Sequence, residues 1–304
     1  DALGKVQRRF SYDAHRRMVE HQLPTGLRCF YEWALVDDCE WRVVHYWTDE
    51  GDDYRFAYDL SAGRTVITDS LGRSSTRCWN SQHQITDYTD NLDRTWQFSW
   101  NDERQLLGAV DPRQGRWRFD YDEAGNLAAT EDPLGRTEST HWLEHWSLPK
   151  VEIDAAGKRW QYRYDARGNR THEVDPLGHV TRYRFDERGR VVEVIDASGK
   201  SNTLRWNEFG QLTDYIDCSG YKTEFRYDRR GFLDQRTDAL GERTRYESDA
   251  VGRLQRREDP AGRIERFLRD DSGVLTAYIN PAGDITRYQY DLRRRVIRRL
   301  DPHG

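Results

Sequence analysis

The chain has 304 residues, enough for two ordinary domains or one long array, and its 53 acidic residues outnumber 48 basic ones for a net charge of −5. That balance, with no basic block, leaves nucleic-acid binding without electrostatic support. No run of 18 apolar residues offers a membrane-spanning helix, and "DALGKVQRRF" reads as mid-repeat sequence, not as a cleavable leader, which predicts an excised piece of a longer chain.

A charged fraction of 33% normally goes with disorder, because few aliphatic groups remain to offset the entropy of ordering. Here 11 Trp, 17 Tyr and 10 Phe reverse that expectation, since rings bury large areas with few rotatable bonds. Only 5 of the 48 basic residues are Lys, so 43 are Arg, whose planar guanidinium can lie on a ring while bonding a carboxylate.

Residues 1–53 come first in chain order and form the irregular part. From Leu23 to Asp53, "LPTGLRCFYEWALVDDCEWRVVHYWTDEGDD" keeps aromatic and β-branched strand formers but departs from the register of the repeats beyond residue 54. With turn candidates at "LPTG" and "TDEG" it reads as two degenerate repeats; the alternative is a small inserted cap.

From residue 54 a 21-residue period takes over. Tetrads of the form D-P-x-G begin at Asp69, Asp111, Asp132, Asp154, Asp175 and Asp196, then every 21 residues to Asp301, with Asn280 in the series and a degenerate "DNLD" at Asp90. One step, from Asp132 to Asp154, is 22. A second tetrad falls halfway between, preceded by an aromatic from Tyr58, Trp79 and Trp100 through Phe185 and Trp206 to Tyr290; Ser248 and Arg269 break the series. Both tetrads suit a type I turn, with Asp or Asn first, Pro tolerated second and Gly fourth as a left-handed bulge. Each repeat therefore reads strand, turn, strand, turn, with roughly seven to nine residues for each strand.

Alternation agrees. Thr181, Tyr183 and Phe185 share one face and Val180, Arg182 and Arg184 the other, and the register recurs as Trp96/Phe98/Trp100 and Trp160/Tyr162/Tyr164. The ring face is expected to pack against other layers or line a lumen, with Arg182 and Arg184 on the wetter side. Two strands per repeat give roughly 28 strands and, at about 4.8 Å each, a ribbon on the order of 135 Å long, too extended to stay flat.

Candidate sites are few. His141-Trp142-Leu143-Glu144-His145 fits the H-x-x-E-H pattern of inverted zinc proteases, which needs both histidines on one helical face. The repeat register instead ends a strand at Trp142 and places Leu143 to Trp146 in a turn. The recurring aspartates occupy equivalent turn positions, unlike the paired carboxylates of acid/base catalysis, and Asp49, Glu50, Asp52 and Asp53 form a cation candidate against a solvated loop. Cys29, Cys39, Cys78 and Cys218 show no C-x-x-C spacing and read as reduced thiols. No catalytic, cofactor-binding or metal residue is expected, and no cofactor. The ring ladder is weighed as a surface for sugars or single-stranded nucleic acid, with sheet packing as its ordinary role.

"YDEAGNLAATEDPLGR" and "FDERGRVVEVIDASGK" resemble the YD repeats of bacterial Rhs proteins, shared with the shell of insecticidal Tc toxins and with teneurins. The resemblance implies an all-β fold of tandem hairpins, a long antiparallel ribbon curling into part of a hollow shell. It implies one array over 1–304, with about 1–53 degenerate and 54–304 regular. By that resemblance the chain is a non-enzymatic wall segment of a cocoon around a C-terminal toxin used in interbacterial competition. The partners implied are the rest of the shell, the toxin, and a secretion spike protein and chaperone reached through N-terminal regions. No nucleic acid or membrane contact is expected of this segment. Location is bacterial cytoplasm before export, with type VI secretion as the route; the alternative function is an extracellular adhesion or glycan-binding surface. No spike tip, toxin domain or aspartyl self-cleavage element is recognisable in the sequence, so cleavage and toxicity are not carried over.

Overall fold

The computed structural model describes residues 8–302. Among them lie 28 β-strands and no helix, matching the two-strands-per-repeat expectation. The described residues fall into two units, 8–162 and 163–302, with the strand Arg159–Tyr164 at the boundary. Within each unit every strand runs antiparallel to its neighbours in the sequence, as Val180–Phe185 does between Arg170–Val174 and Val191–Ile195.

Most strands beyond residue 59 hold five or six residues, shorter than expected, the exceptions being Thr137–Leu143 and Trp146–Ile153. The difference lies in the turns, most of which take five residues. Asp175 N–H donates to the His179 carbonyl at 3.0 Å and Gly178 N–H to the Asp175 carbonyl at 3.0 Å, a type I turn closed by a left-handed glycine at φ 84°. One carboxylate oxygen of Asp175 accepts the N–H groups of Leu177 and His179 at 2.9 and 2.8 Å. The aspartate thus occupies backbone donors that the sharp reversal leaves without partners.

The odd period has a structural origin. Hairpins closed by the D-P-x-G tetrad keep a constant register, as in His172↔Arg182 to Val174↔Val180. Hairpins closed by the second tetrad shift by one residue: Arg184 faces Glu193 but Phe185 faces Val191. The same shift falls between Arg205 and Trp206 and between Arg226 and Tyr227. A one-residue bulge exchanges the faces of all later side chains. One bulge per 21-residue repeat therefore returns each ring to the same face, which an odd spacing without a bulge does not do.

Burial follows that face. In Val180–Phe185 the side chains of Tyr183 and Phe185 are half-buried while Arg182 and Arg184 are exposed, as the alternation requires. Of the two expectations for the ring face, packing against another layer is not met among the described residues of each unit, where the backbones of strands pack chiefly on their immediate chain neighbours. Rings are covered instead by rings of the next-but-one strand on their own face, as Trp96 of Thr95–Trp100 stacks on Trp117 of Arg116–Tyr121 across the intervening strand, with centroids 5.6 Å apart. The buried apolar residues are few, Leu27, Cys29, Ala109, Val151 and Ala277, so there is no central core and order comes from repeat-to-repeat contacts.

The irregular segment continues the meander. Strands Arg28–Val36 and Glu40–Thr48 pair with each other and with both flanking strands, and turns close at Leu23–Leu27 and Thr48–Asp52, where "LPTG" and "TDEG" stand. The turn between the two long strands passes through Asp37 and Asp38, both at positive φ. The opening segment 1–7 and the end of the last expected turn, residues 303 and 304, lie outside the described residues.

The turn aspartates carry a pH dependence. Bonds from the Arg73 side chain hold the Asp69 carboxyl below the usual carboxylate range; partial burial opposes this, and turn N–H groups reinforce it. Arg136 does the same for Asp132. A carboxyl lowered on folding stabilises the fold fully above its unfolded pKa of about 3.9, and that contribution disappears as pH falls through the folded value. The urea midpoint is therefore expected to stay level from neutral pH to about 5 and to drop below about 4. Asp132→Asn keeps the turn, since Asn280 caps the equivalent D-P-x-G turn, but removes that repeat's share of the acid sensitivity. A midpoint that rises on acidification contradicts the assignment.

Candidate functional site

Within each unit the strands form a single layer with two faces and two turn-bearing edges, and the turns decide what the edges are. On the edge that carries the second tetrad, successive turns touch. Gln105 Nε2 donates to the Gly125 carbonyl at 3.1 Å, Gln211 Nε2 to that of Gly231 at 2.6 Å, and Arg188 to the Glu208 carbonyl at 2.6 Å. On the D-P-x-G edge the turn tips stand apart and present Leu71, Leu134, Leu177 and Leu240 to solvent. The two edges are chemically distinct, one cross-linked and one open.

The aromatic before the second tetrad is a recurrent stitch between repeats. Tyr227 Oη donates to the Leu212 carbonyl at 2.8 Å, Trp206 Nε1 to that of Val191 at 2.7 Å and Trp100 Nε1 to that of Ile85 at 2.8 Å, each 15 residues back, whereas Trp79 reaches the Thr65 hydroxyl 14 residues back and Phe185 carries no donor. Trp33 reaches the Met18 carbonyl at the same separation, so the irregular segment follows the same rule. Tyr and Trp combine a large apolar ring with a donor at its far end, which explains why they dominate this position.

A second recurrent feature sits at the residue after the turn glycine. Arg190 bonds the outer oxygen of Asp186 through Nε at 2.7 Å, Arg263 that of Asp259 at 2.6 Å and Arg253 that of Asp249 at 2.6 Å. Asn or Gln substitutes at other turns, as Asn169 does on Asp165 at 2.9 Å. The face opposite the rings carries exposed ion pairs such as Arg184–Glu193 at 3.0 Å, which favour solubility more than stability.

The candidates from the sequence are not brought together. His141 lies in the strand Thr137–Leu143, and Glu144 and His145 alone form the turn, with Leu143 paired to Trp146. Leu143 and Trp146 are thus strand residues, not turn residues as expected, because a two-residue reversal replaces the usual five-residue one. An extended segment points successive side chains to opposite faces, which destroys the helical i, i+4 geometry an inverted zinc site requires. Plasma-emission analysis of the purified chain is expected to find no stoichiometric zinc, and His141→Ala with His145→Ala to leave thermal stability unchanged. Zinc bound one to one and lost in that double variant contradicts the hairpin.

The four acids of the irregular segment are also dispersed. Asp49 accepts the Arg28 N–H at 3.1 Å, Asp52 the Thr48 hydroxyl at 3.3 Å, and Asp53 lies 2.9 Å from His45. No group of three or more potential metal ligands converges among the described residues. All four cysteines are free thiols, Cys29 buried and Cys39 and Cys218 exposed.

A stack of hairpins stitched at fixed spacing is the geometry of a repeat wall, and the Teneurin YD-shell family matches residues 55–203 and again 138–304. The chain belongs to the YD-shell family. The YD shell's fold recurs in solved Tc toxin assemblies. TcdB2-TccC3 without its hypervariable C-terminal region aligns at a TM-score of 0.71 and 15% identity over 96% of this chain and 18% of that one. TcdB2-TccC3-TEV aligns at 0.68 and 15% over 96% and 20%. At sequence level the YD shell is 32% identical over 84 residues to Double-stranded DNA deaminase toxin A of Burkholderia cenocepacia (strain H111), covering 28% of this chain and 6% of the toxin. The chain thus spans about a fifth or less of the relatives it matches.

Proposed function

We propose that this chain is a non-enzymatic wall segment of a longer β-shell that encloses a toxin polypeptide for delivery in interbacterial competition. The observation that carries the reading is the recurrent stitch between repeats, which places equivalent side chains at equivalent positions and builds surface instead of a converging site. Family membership and likeness to the Tc assemblies support the shell, and the partial identity to a bacterial toxin supports a toxin as cargo. On this reading the partners are the remaining shell and the toxin, with a spike protein and chaperone acting on other parts of the protein. The shell assembles in the cytoplasm and leaves through type VI secretion, and this segment contacts neither nucleic acid nor membrane. The ring face lines the lumen.

Thiol labelling tests the enclosure. Tyr183→Cys and Arg184→Cys are introduced both in this 304-residue chain and in a complete shell protein carrying it. A bulky maleimide is expected to modify position 184 at similar rates in both, and position 183 much more slowly in the complete shell. Equal rates at 183 in the two contexts exclude an enclosed ring face and favour an open adhesive surface.

A further inference from the structure

On the ring face of residues 8–162, the strand Thr137–Leu143 carries Glu138 and Thr140 where the preceding ring-bearing strand has Trp117 and Phe119 and the following one Trp160 and Tyr162. Two missing rings leave a recess of about 410 Å³. Ala128, Thr130 and Thr140 contribute to its lining, Trp160 and Tyr162 flank it, and Glu138, Glu152 and Asp154 supply three carboxylates. No Lys or Arg lines it, in a chain with 43 arginines.

The same face shows what such a place holds elsewhere. Glu265 receives the Tyr278 hydroxyl at 2.6 Å on one oxygen and the Arg257 guanidinium at 2.8 Å on the other. Glu173 accepts the Tyr183 hydroxyl at 3.4 Å, with Arg170 Nη2 3.3 Å away and the guanidinium over the Tyr183 ring at 5.6 Å. Where Arg77 replaces a ladder ring, its guanidinium lies 6.0 Å from the Tyr88 ring centre. At the recess Glu152 accepts the Tyr162 hydroxyl at 2.6 Å, the same carboxylate and phenol pair, but no ion pair reaches Glu152, Glu138 or Asp154 among the described residues. Arg136 is near enough to feel Glu138, yet its fork is committed to Asp132.

We propose that this recess binds an arginine side chain from another polypeptide segment. Apart from the hydroxyls of Thr130, Ser139 and Thr140 and the Trp160 and Tyr162 donors, the polar side chains are acceptors, whereas a guanidinium offers five donors and no acceptor. Its plane matches the ring walls, and its charge matches three carboxylates that a neutral sugar leaves unneutralised. The carboxyl of Asp154 spends one oxygen on the N–H groups of Ala156 and Lys158 and keeps the other for a guest. This site holds whatever the shell encloses, since it rests on the recess alone.

The test titrates the 304-residue chain with acetyl-Gly-Arg-Gly-amide and with the same peptide carrying citrulline, the neutral isostere of arginine. The Trp160 indole N–H resonance, assigned with Trp160→Phe, reports binding. The arginine peptide is expected to bind about tenfold tighter than the citrulline peptide, and Glu138→Gln to remove about that factor. Because Glu138 is exposed and makes no hydrogen bond, that variant retains the wild-type circular dichroism. The proposal fails if both peptides bind equally, if millimolar arginine peptide leaves Trp160 unmoved, or if Glu138→Gln binds as wild type. It also fails if a neutral oligosaccharide shifts Trp160 more than the arginine peptide does.

Discussion

Tyr227→Ala is expected to destabilise its own repeat by about 3 kcal/mol, while Tyr227→Phe costs about 1 kcal/mol. The phenylalanine keeps the ring and loses the bond from the Tyr227 hydroxyl to the Leu212 carbonyl. Alanine loses the ring as well, opening a gap between strands Leu212–Ile216 and Lys222–Tyr227. Partial burial, which already pushes the phenol pKa up, places this cost below that of a fully enclosed ring. Because each repeat contacts only its neighbours, the loss stays local. Hydrogen exchange is expected to accelerate about a hundredfold in those two strands for the alanine variant and to stay unchanged at Arg64–Asp69. Equal acceleration along the whole chain contradicts a nearest-neighbour array.

The second large effect separates the two edges. Gly252 and Gly241 share a left-handed backbone, φ 87° and 83°, which costs any replacing residue about 1–2 kcal/mol. Their surroundings differ. A Cβ at Gly252 falls 2.4 Å from the Phe232 ring of the preceding turn on the cross-linked edge, while one at Gly241 meets nothing within 4 Å. Gly252→Ala is therefore expected to cost about 3 kcal/mol and Gly241→Ala about 1 kcal/mol, read as shifts in denaturant midpoint. Phe232→Ala in the Gly252→Ala background relieves the clash and recovers part of the difference. Equal costs at the two glycines contradict the distinction between a stacked and an open edge.

The legible parts of this molecule are those the repeat writes many times. The turn aspartates, the turn glycines and the alternation around Tyr183 each follow from a local rule applied to a few adjacent residues. Strand length comes out too long from sequence because nothing in it shows that the residue after each glycine, such as His179 or Arg190, belongs to the turn. The stitch from Tyr227 to Leu212 is hidden for another reason: a 15-residue separation has meaning only once the pairing and register of the two strands are known. A donor-bearing aromatic at a constant distance from a turn is the available signal, and from sequence it reads as apolar packing. The Arg190 to Asp186 clamp is likewise visible as D-x-x-G-R, but the pattern does not reveal that the aspartate's second oxygen is its partner. The recess around Glu138 and Thr140 stands in the sequence as two absent rings, and an absence becomes a cavity only when the rings on both sides are placed.

Limited proteolysis of a complete shell protein carrying this chain tests the central claim most directly. A protease site is inserted into the C-terminal polypeptide, and cleavage is followed in native buffer and in urea just sufficient to loosen the repeats. The encapsulation account predicts that the site resists cleavage in native buffer and is cut rapidly once the wall opens, with Tyr227→Ala lowering the urea needed. Rapid cleavage of the inserted site in native buffer, with the YD repeats still fully protected from hydrogen exchange, contradicts it.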